Sequence, residues 1–208
     1  MSFAIERLEE PLSPNDLSAI ADVAMAAFLD DPFFTFLSPS ERQRRRGLRI
    51  FFGSFVRYLG PGRAVWVARH DGAIVGISAW AEPEKYPAPF RDQILQSLQA
   101  FRALFVRPKA LIDGLRYIMA IDHEHPKEPV WYLALLAVIP DHQRKGMGKE
   151  LMAPVLEICD REGYDVYLET QKEDNLAYYR RVGCDVVNVL HPVKNGPPLW
   201  TLRRPTKA

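Results

Sequence analysis

The chain has 208 residues, of which 48% are hydrophobic, 11% aromatic and 25% charged. That is too apolar for a disordered chain, ample for a sizeable core, and a length that fits one domain over residues 1–208. With 27 Lys and Arg against 26 Asp and Glu the formal net charge is +1, which gives little pull on polyanions and argues against a nucleic-acid partner.

The first ten residues, MSFAIERLEE, carry charges where an export signal needs its apolar stretch, so no such signal is expected. Phe3, Ile5 and Leu8 alternate with polar neighbours as a strand does, and Ser13 or Asn15 then stands at the N-cap of an apolar helix running to about Phe28. Over 40–59, Leu48, Phe51, Phe52, Phe55, Val56 and Leu59 recur at helical spacing. Arg42, Arg44, Arg45, Arg46 and Arg49 lie before or among them, a basic run that reads as the solvated face of an amphipathic helix. Segments 64–69 and 74–80 flank Asp71-Gly72, the dipeptide of a tight β-hairpin. After Pro83, Pro87 and Pro89, helical periodicity over 91–105 and 108–121 predicts a helical insert at about 90–122.

The run 130–139 is the longest uninterrupted apolar stretch, about half the ~20 residues a membrane-spanning helix needs. Its lack of alternation predicts a central strand buried on both faces. A polar loop, 140–145, follows. Met147, Leu151, Val155 and Cys159 then recur every four residues, a helix to about Glu162 that Gly163 ends. Pro154 inside it removes a backbone hydrogen bond and predicts a kink near Glu150. A strand over 166–169, a helix over 175–182 closed by Gly183, and strands over 186–190 and 199–202 around Asn195-Gly-Pro-Pro complete the chain.

The segment richest in chemistry is the buried strand, its short basic loop, and Gly146-Met147-Gly148 at the start of a helix. A helix start offers unpaired amides and a positive dipole end, and Gly146 and Gly148 let a phosphate approach the backbone. Arg144, Lys145 and Lys149 add mobile positive charge, so a cofactor bearing a diphosphate is the natural ligand. Two better-known phosphate loops fail here. The P-loop pattern would need Gly at Gln143 and Ser or Thr at Glu150, and the dinucleotide fingerprint would need Gly at Leu151.

Gln143-Arg-Lys-Gly146-Met-Gly148 resembles the acetyl-CoA motif of the GNAT acetyltransferase superfamily. Asn175-Leu-Ala-Tyr-Tyr179-Arg-Arg-Val-Gly183 is similar to that family's second signature, with Cys184 in place of its usual Phe. Segments 126–133, 140–143 and 168–170 look most like the puromycin N-acetyltransferase-like branch. The likeness is good over 126–206, while residues 1–125 share only the order of elements.

The resemblance implies an α/β fold with a mixed, mostly antiparallel central sheet of about six to seven strands flanked by helices. Central strands 130–139 and 165–170 would splay to form an acetyl-CoA cleft. It also implies direct transfer of acetyl from acetyl-CoA to an amine. The amine must lose a proton to attack, and Glu169 is the candidate base. Tyr179 matches the tyrosine that donates to the departing thiolate. It shares a helix face with Asn175, four residues away, whereas Tyr178 points elsewhere and reads as packing. Backbone groups of Leu136, Ala137 and Val138 would pair with the pantetheine arm, and Gln143, Arg144, Lys145, Gly146, Met147, Gly148, Lys149 and Asn175 complete the cofactor set.

No metal is expected, because His123 and His125 have neither the spacing nor the company of a ligand set. Cys159 and Cys184 read as packing and suit a reducing cytoplasm; no membrane partner is expected. The expected acceptor is a primary amine of a small molecule. A protein amine, or a silent module that only binds acyl-CoA, is the alternative.

Overall fold

The computed structural model describes residues 3–58, 62–85 and 108–207, and the helix expected over 91–105 lies outside them. β1 (Ala4–Arg7) leads to α1 (Pro14–Phe28). Of the two candidate caps Ser13 is the one used: its Oγ accepts from the Asp16 amide at 3.1 Å, and Pro14 sits where a missing N–H costs nothing. A short helix not singled out by periodicity follows, α2 (Pro32–Leu37). Asp31 caps it, accepting from the Phe33 amide at 2.9 Å, and Phe33, Phe34 and Leu37 are buried.

α3 (Glu41–Tyr58) buries Leu48, Phe52 and Val56. Its basic run is not uniform. Arg45 and Arg49 pair at the surface with Glu41 and Asp22, whereas Arg44 turns inward and its guanidinium donates to the carbonyls of Leu29, Ser38 and Pro39. That buried fork ties α3 to the loops on either side of α2.

β2 (Arg63–His70) and β3 (Ala73–Ala81) form the expected hairpin. Asp71 and Gly72 both take positive φ, 49° and 79°, as a two-residue turn matching strand twist requires. α4 (Pro108–Glu124) runs three residues past its expected end. Then come β4 (Val130–Val138), a single 3-10 turn at Pro140–His142, α5 (Met147–Glu162), β5 (Asp165–Thr170), α6 (Asp174–Arg181), β6 (Asp185–Leu190) and β7 (Leu199–Arg204). α5 is continuous through Pro154, and Gly163 closes it with its amide on the Cys159 carbonyl at 2.9 Å.

The seven strands form one sheet in the order β1-β2-β3-β4-β5-β7-β6, antiparallel except for the β4·β5 pair. β4 is fourth of seven, central as its composition predicts. Helices α1 to α4 cover one face with an aromatic core around Phe33, Phe34, Phe52 and Tyr117; α5 and α6 cover the other. Cys159 and Cys184 lie inside the second cluster, and burial pushes both thiols up to about 12, so neither is a nucleophile at neutral pH. No described helix is long and apolar enough to cross a membrane.

Candidate active site

The site starts where the parallel pair fails. β4 and β5 are in register only from Val130↔Asp165 to Leu133↔Leu168. One residue further on, β4 bulges: Trp80 faces Leu133 but Ala79 faces Leu135, so Ala134 is an extra residue that bends the strand. β5 stays with β7 through Glu169 and Thr170. The strands therefore part, and beyond Leu133 the edge of β4 that faces β5 has no strand partner among the described residues. Leu136, Ala137 and Val138 lie on this stretch.

Strand alternation assigns the side chains of β5 to two faces. Leu168 faces the α5 and α6 side and packs in the cluster that holds Tyr179, Met152 and Cys184. Tyr167 and Glu169 face the opposite side. There Tyr132 of β4 donates its hydroxyl to Glu169 Oε2 at 2.9 Å, while Glu169 Oε1 is shut off from solvent with no hydrogen-bond partner among the described residues. Burial pushes the Glu169 carboxyl to about 8, against the lowering pull of hydrogen bonds from Tyr132 and Tyr167. His125 meets both tyrosine rings edge-on, at 5.1 and 5.3 Å, and burial lowers it to about 4, so it is neutral against those rings.

Tyr179 is 7% exposed, and its hydroxyl makes no hydrogen bond to a described residue. Burial raises it far above the ordinary tyrosine value, with Tyr178, Cys184 and Glu169 adding in the same direction. It therefore keeps its proton, within electrostatic reach of Glu169. Tyr178 packs instead on the start of α5, its hydroxyl donating to Met152 Sδ at 3.4 Å.

The two loop glycines serve different ends. Gly146 takes φ 84° with nothing within 4 Å of where a Cβ would stand, leaving the helix start open. A Cβ on Gly148 would lie 2.9 Å from the Tyr178 hydroxyl, so its missing side chain makes room for that ring rather than for a phosphate. The amides of Met147 and Gly148 have no acceptor among the described residues, as an anion-binding helix start requires. Arg144 takes φ 59°, so the chain curls twice within three residues, and the side chains of Arg144 and Lys149 are exposed.

Other members of the expected cofactor set hold the loop together. Gln143 donates its side-chain amide to the Val138 carbonyl at 2.9 Å, and Lys145 Nζ donates to the Asp141 carbonyl at 2.7 Å. Asn175 donates to Thr170 Oγ1 at 3.2 Å, fixing α6 against the end of β5. Sequence reasoning missed Tyr132 as the partner of Glu169, and His125 as the residue packed on Tyr132 and Tyr167. The pairing Tyr132↔Tyr167 that aligns them is visible only once the parallel register is known.

A family model described as Acetyltransferase (GNAT) family matches residues 23–184. The chain belongs to this family. An uncharacterized N-acetyltransferase of Schizosaccharomyces pombe is 38% identical over 183 residues, which cover 81% of this chain and 70% of that protein. A probable serine/threonine-protein kinase of Dictyostelium discoideum is 22% identical over 202 residues, 87% of this chain, and the chain spans only 21% of its length. Among solved structures, a histone acetyltransferase HPA2 and related acetyltransferase from Corynebacterium glutamicum matches at TM-score 0.70 and 22% identity, over 100% of this chain and 98% of that one. The PaiA N-acetyltransferase of Thermoplasma acidophilum, solved in complex with coenzyme A, matches at TM-score 0.55 and 14% identity over 99% of each chain. Both share the GNAT fold.

Proposed function

We propose that this GNAT chain is an acetyl-CoA-dependent N-acetyltransferase that acetylates a primary amine of a small molecule by direct attack. The observation that carries the proposal is the parting of β4 and β5 beyond Leu133 and Leu168, which leaves an unpaired strand edge leading to an open helix start. The residues fit the co-substrate. The edge at Leu136, Ala137 and Val138, which lacks a strand partner among the described residues and carries only the Gln143 side chain on the Val138 carbonyl, suits an extended amide-bearing arm, which would add to β4 as a strand. The amides of Gly146, Met147 and Gly148, with Arg144, Lys145 and Lys149 around them, suit a diphosphate.

Acetyl-CoA supplies the acetyl thioester. Glu169, once ionised, takes a proton from the acceptor's ammonium, and the freed lone pair forms the C–N bond. As the C–S bond breaks, its electron pair leaves with sulfur, and Tyr179 gives that sulfur its hydroxyl proton. The second amine proton passes to solvent and the proton held by Glu169 returns through solvent to Tyr179, so both side chains are restored and one proton is released per turnover. No covalent enzyme intermediate is needed.

A part-buried base among aromatic rings suits a compact acceptor better than an extended peptide, which supports the small-molecule class. We place the chain in the puromycin N-acetyltransferase-like branch on segments 126–133, 140–143 and 168–170, as one domain over residues 1–208 acting in the cytoplasm. CoA titration should raise the melting temperature and move the amide signals of residues 143–149. A panel of small amines should then release free thiol from acetyl-CoA. Unmoved signals with CoA would end the proposal; binding without turnover on any amine would favour a silent acyl-CoA sensor.

A further inference from the structure

The two oxygens of Glu169 sit in unlike settings. Oε2 accepts from Tyr132, while Oε1 is buried and unpartnered among the described residues, a state that a polar atom does not hold without cost. Tyr132 is itself held in place. Its ring is buried, lies tilted 6.2 Å from that of Tyr167, and is met edge-on by His125. Tyr167 also reaches the carboxyl and lowers it, but it divides its one proton between Glu169 and the Glu124 carbonyl, to which it donates at 3.2 Å, so Tyr132 is the dedicated donor. The titratable groups around Glu169 are therefore Tyr132 from β4, Tyr167 from β5, His125 just after α4, and Tyr179 from α6.

We propose that Tyr132 is a positioning residue: its hydroxyl, donated to Oε2, fixes the orientation of the Glu169 carboxylate and supports its ionised form, so that Glu169 can take the acceptor's proton. This rests on the N-acetyltransferase reading above. A hydrogen bond to the ionised form favours that form, so Tyr132 works against burial and lets Glu169 ionise at a lower pH than it otherwise would.

The test is Tyr132→Phe, which keeps the ring and removes the donor. In protein carrying 13C-labelled Glu side chains and no ligand, the Glu169 carboxyl should titrate about one pH unit higher in the variant, with the other glutamates unmoved. Thiol release with the amine panel should fall about 10-fold in kcat, with KM for acetyl-CoA unchanged. Tyr132→Phe combined with Glu169→Gln should be no slower than Glu169→Gln alone. Glu169 titrating identically in wild type and Tyr132→Phe would overturn the assignment. If Phe disturbs the packing, seen as moved His125 and Tyr167 ring signals, 3-fluorotyrosine at position 132 keeps the ring, strengthens the donor, and should shift the titration the other way; no shift overturns the assignment again. A displaced titration without turnover on any amine would sink the functional reading and spare the hydrogen bond. Turnover with an unmoved titration would do the reverse.

Discussion

Glu169→Gln separates the energetic cost of the candidate base from its use. The carboxyl is raised from 4.5 to about 8 by burial, so the folded state holds its proton more tightly than the unfolded chain does. The stability this group contributes is complete below about pH 4.5, is lost as pH rises toward about 8, and stays lost above it. Gln is close in shape, can still accept from Tyr132, and cannot ionise. Between about pH 5 and about pH 8.5 the linkage relation gives wild type a loss of ~4 kcal/mol relative to the Glu169→Gln variant as an upper bound. Glu169 keeps some surface, so solvent screening brings the expected gap to ~1–3 kcal/mol, about 3–10 °C in melting temperature for a chain of this size. Melting curves of the two proteins across this range, without ligand, provide the assay. Glu169→Gln should match wild type near the acid end, exceed it at the alkaline end, and lose roughly 10²–10⁴ in kcat. Parallel stability curves would refute the buried, proton-holding carboxyl.

Asp31 obeys the same sign in a different window, since burial raises it from 3.8 to about 6 although the Phe33 and Phe34 amides pull it down. Asp31→Asn keeps a cap acceptor and should gain on wild type as pH rises from about 4 to about 6.5, whereas Asp31→Ala should lose ~1 kcal/mol at acid pH, where the proton is held anyway; urea melts distinguish them. Gly148→Ala should cost ~1–3 kcal/mol because its new Cβ would lie 2.9 Å from the Tyr178 hydroxyl, and adding Tyr178→Phe should recover part of that loss, read as non-additivity in denaturation. Arg44→Met, which strands the carbonyls of Ser38 and Pro39, should cost ~2–4 kcal/mol in urea melts, while the exposed Arg45→Met should change stability by less than ~0.5 kcal/mol.

The hairpin was legible because Asp71-Gly72 combines two residues that tolerate positive φ, and α5 because its apolar residues recur every four positions up to Gly163. β4 showed itself by length alone, an apolar run too short for a membrane and too uniform for a half-exposed strand. α2 escaped notice because six residues are too few to display a helical period, although Asp31-Pro32 is a readable helix start. What no local pattern could reveal is contact set by register. Tyr132 and Glu169 lie 37 positions apart and meet only because Tyr132 pairs with Tyr167 across a parallel ladder. Gly148 shows the same blindness from the other side, its local setting suggesting a ligand where the fold brings Tyr178.

The sheet also explains how one reaction can use residues from both of its sides. Tyr167 and Glu169 face the α1 to α4 layer, and Leu168 faces the layer where Tyr179 is buried, because adjacent strand residues point oppositely. In an unbroken sheet, a base on one face and an acid on the other would be separated by a ladder of backbone hydrogen bonds. The ladder between β4 and β5 ends at Leu133 and Leu168, one residue before Glu169 and one before the Ala134 bulge. A thioester lying in that gap, along the free edge of β4, is open to the Glu169 side and the Tyr179 side at once. On the proposed mechanism, the bulge is the element that would bring the two candidate proton-transfer groups to one substrate. Deleting Ala134 should restore regular pairing, close the gap, and abolish CoA binding while leaving a folded sheet.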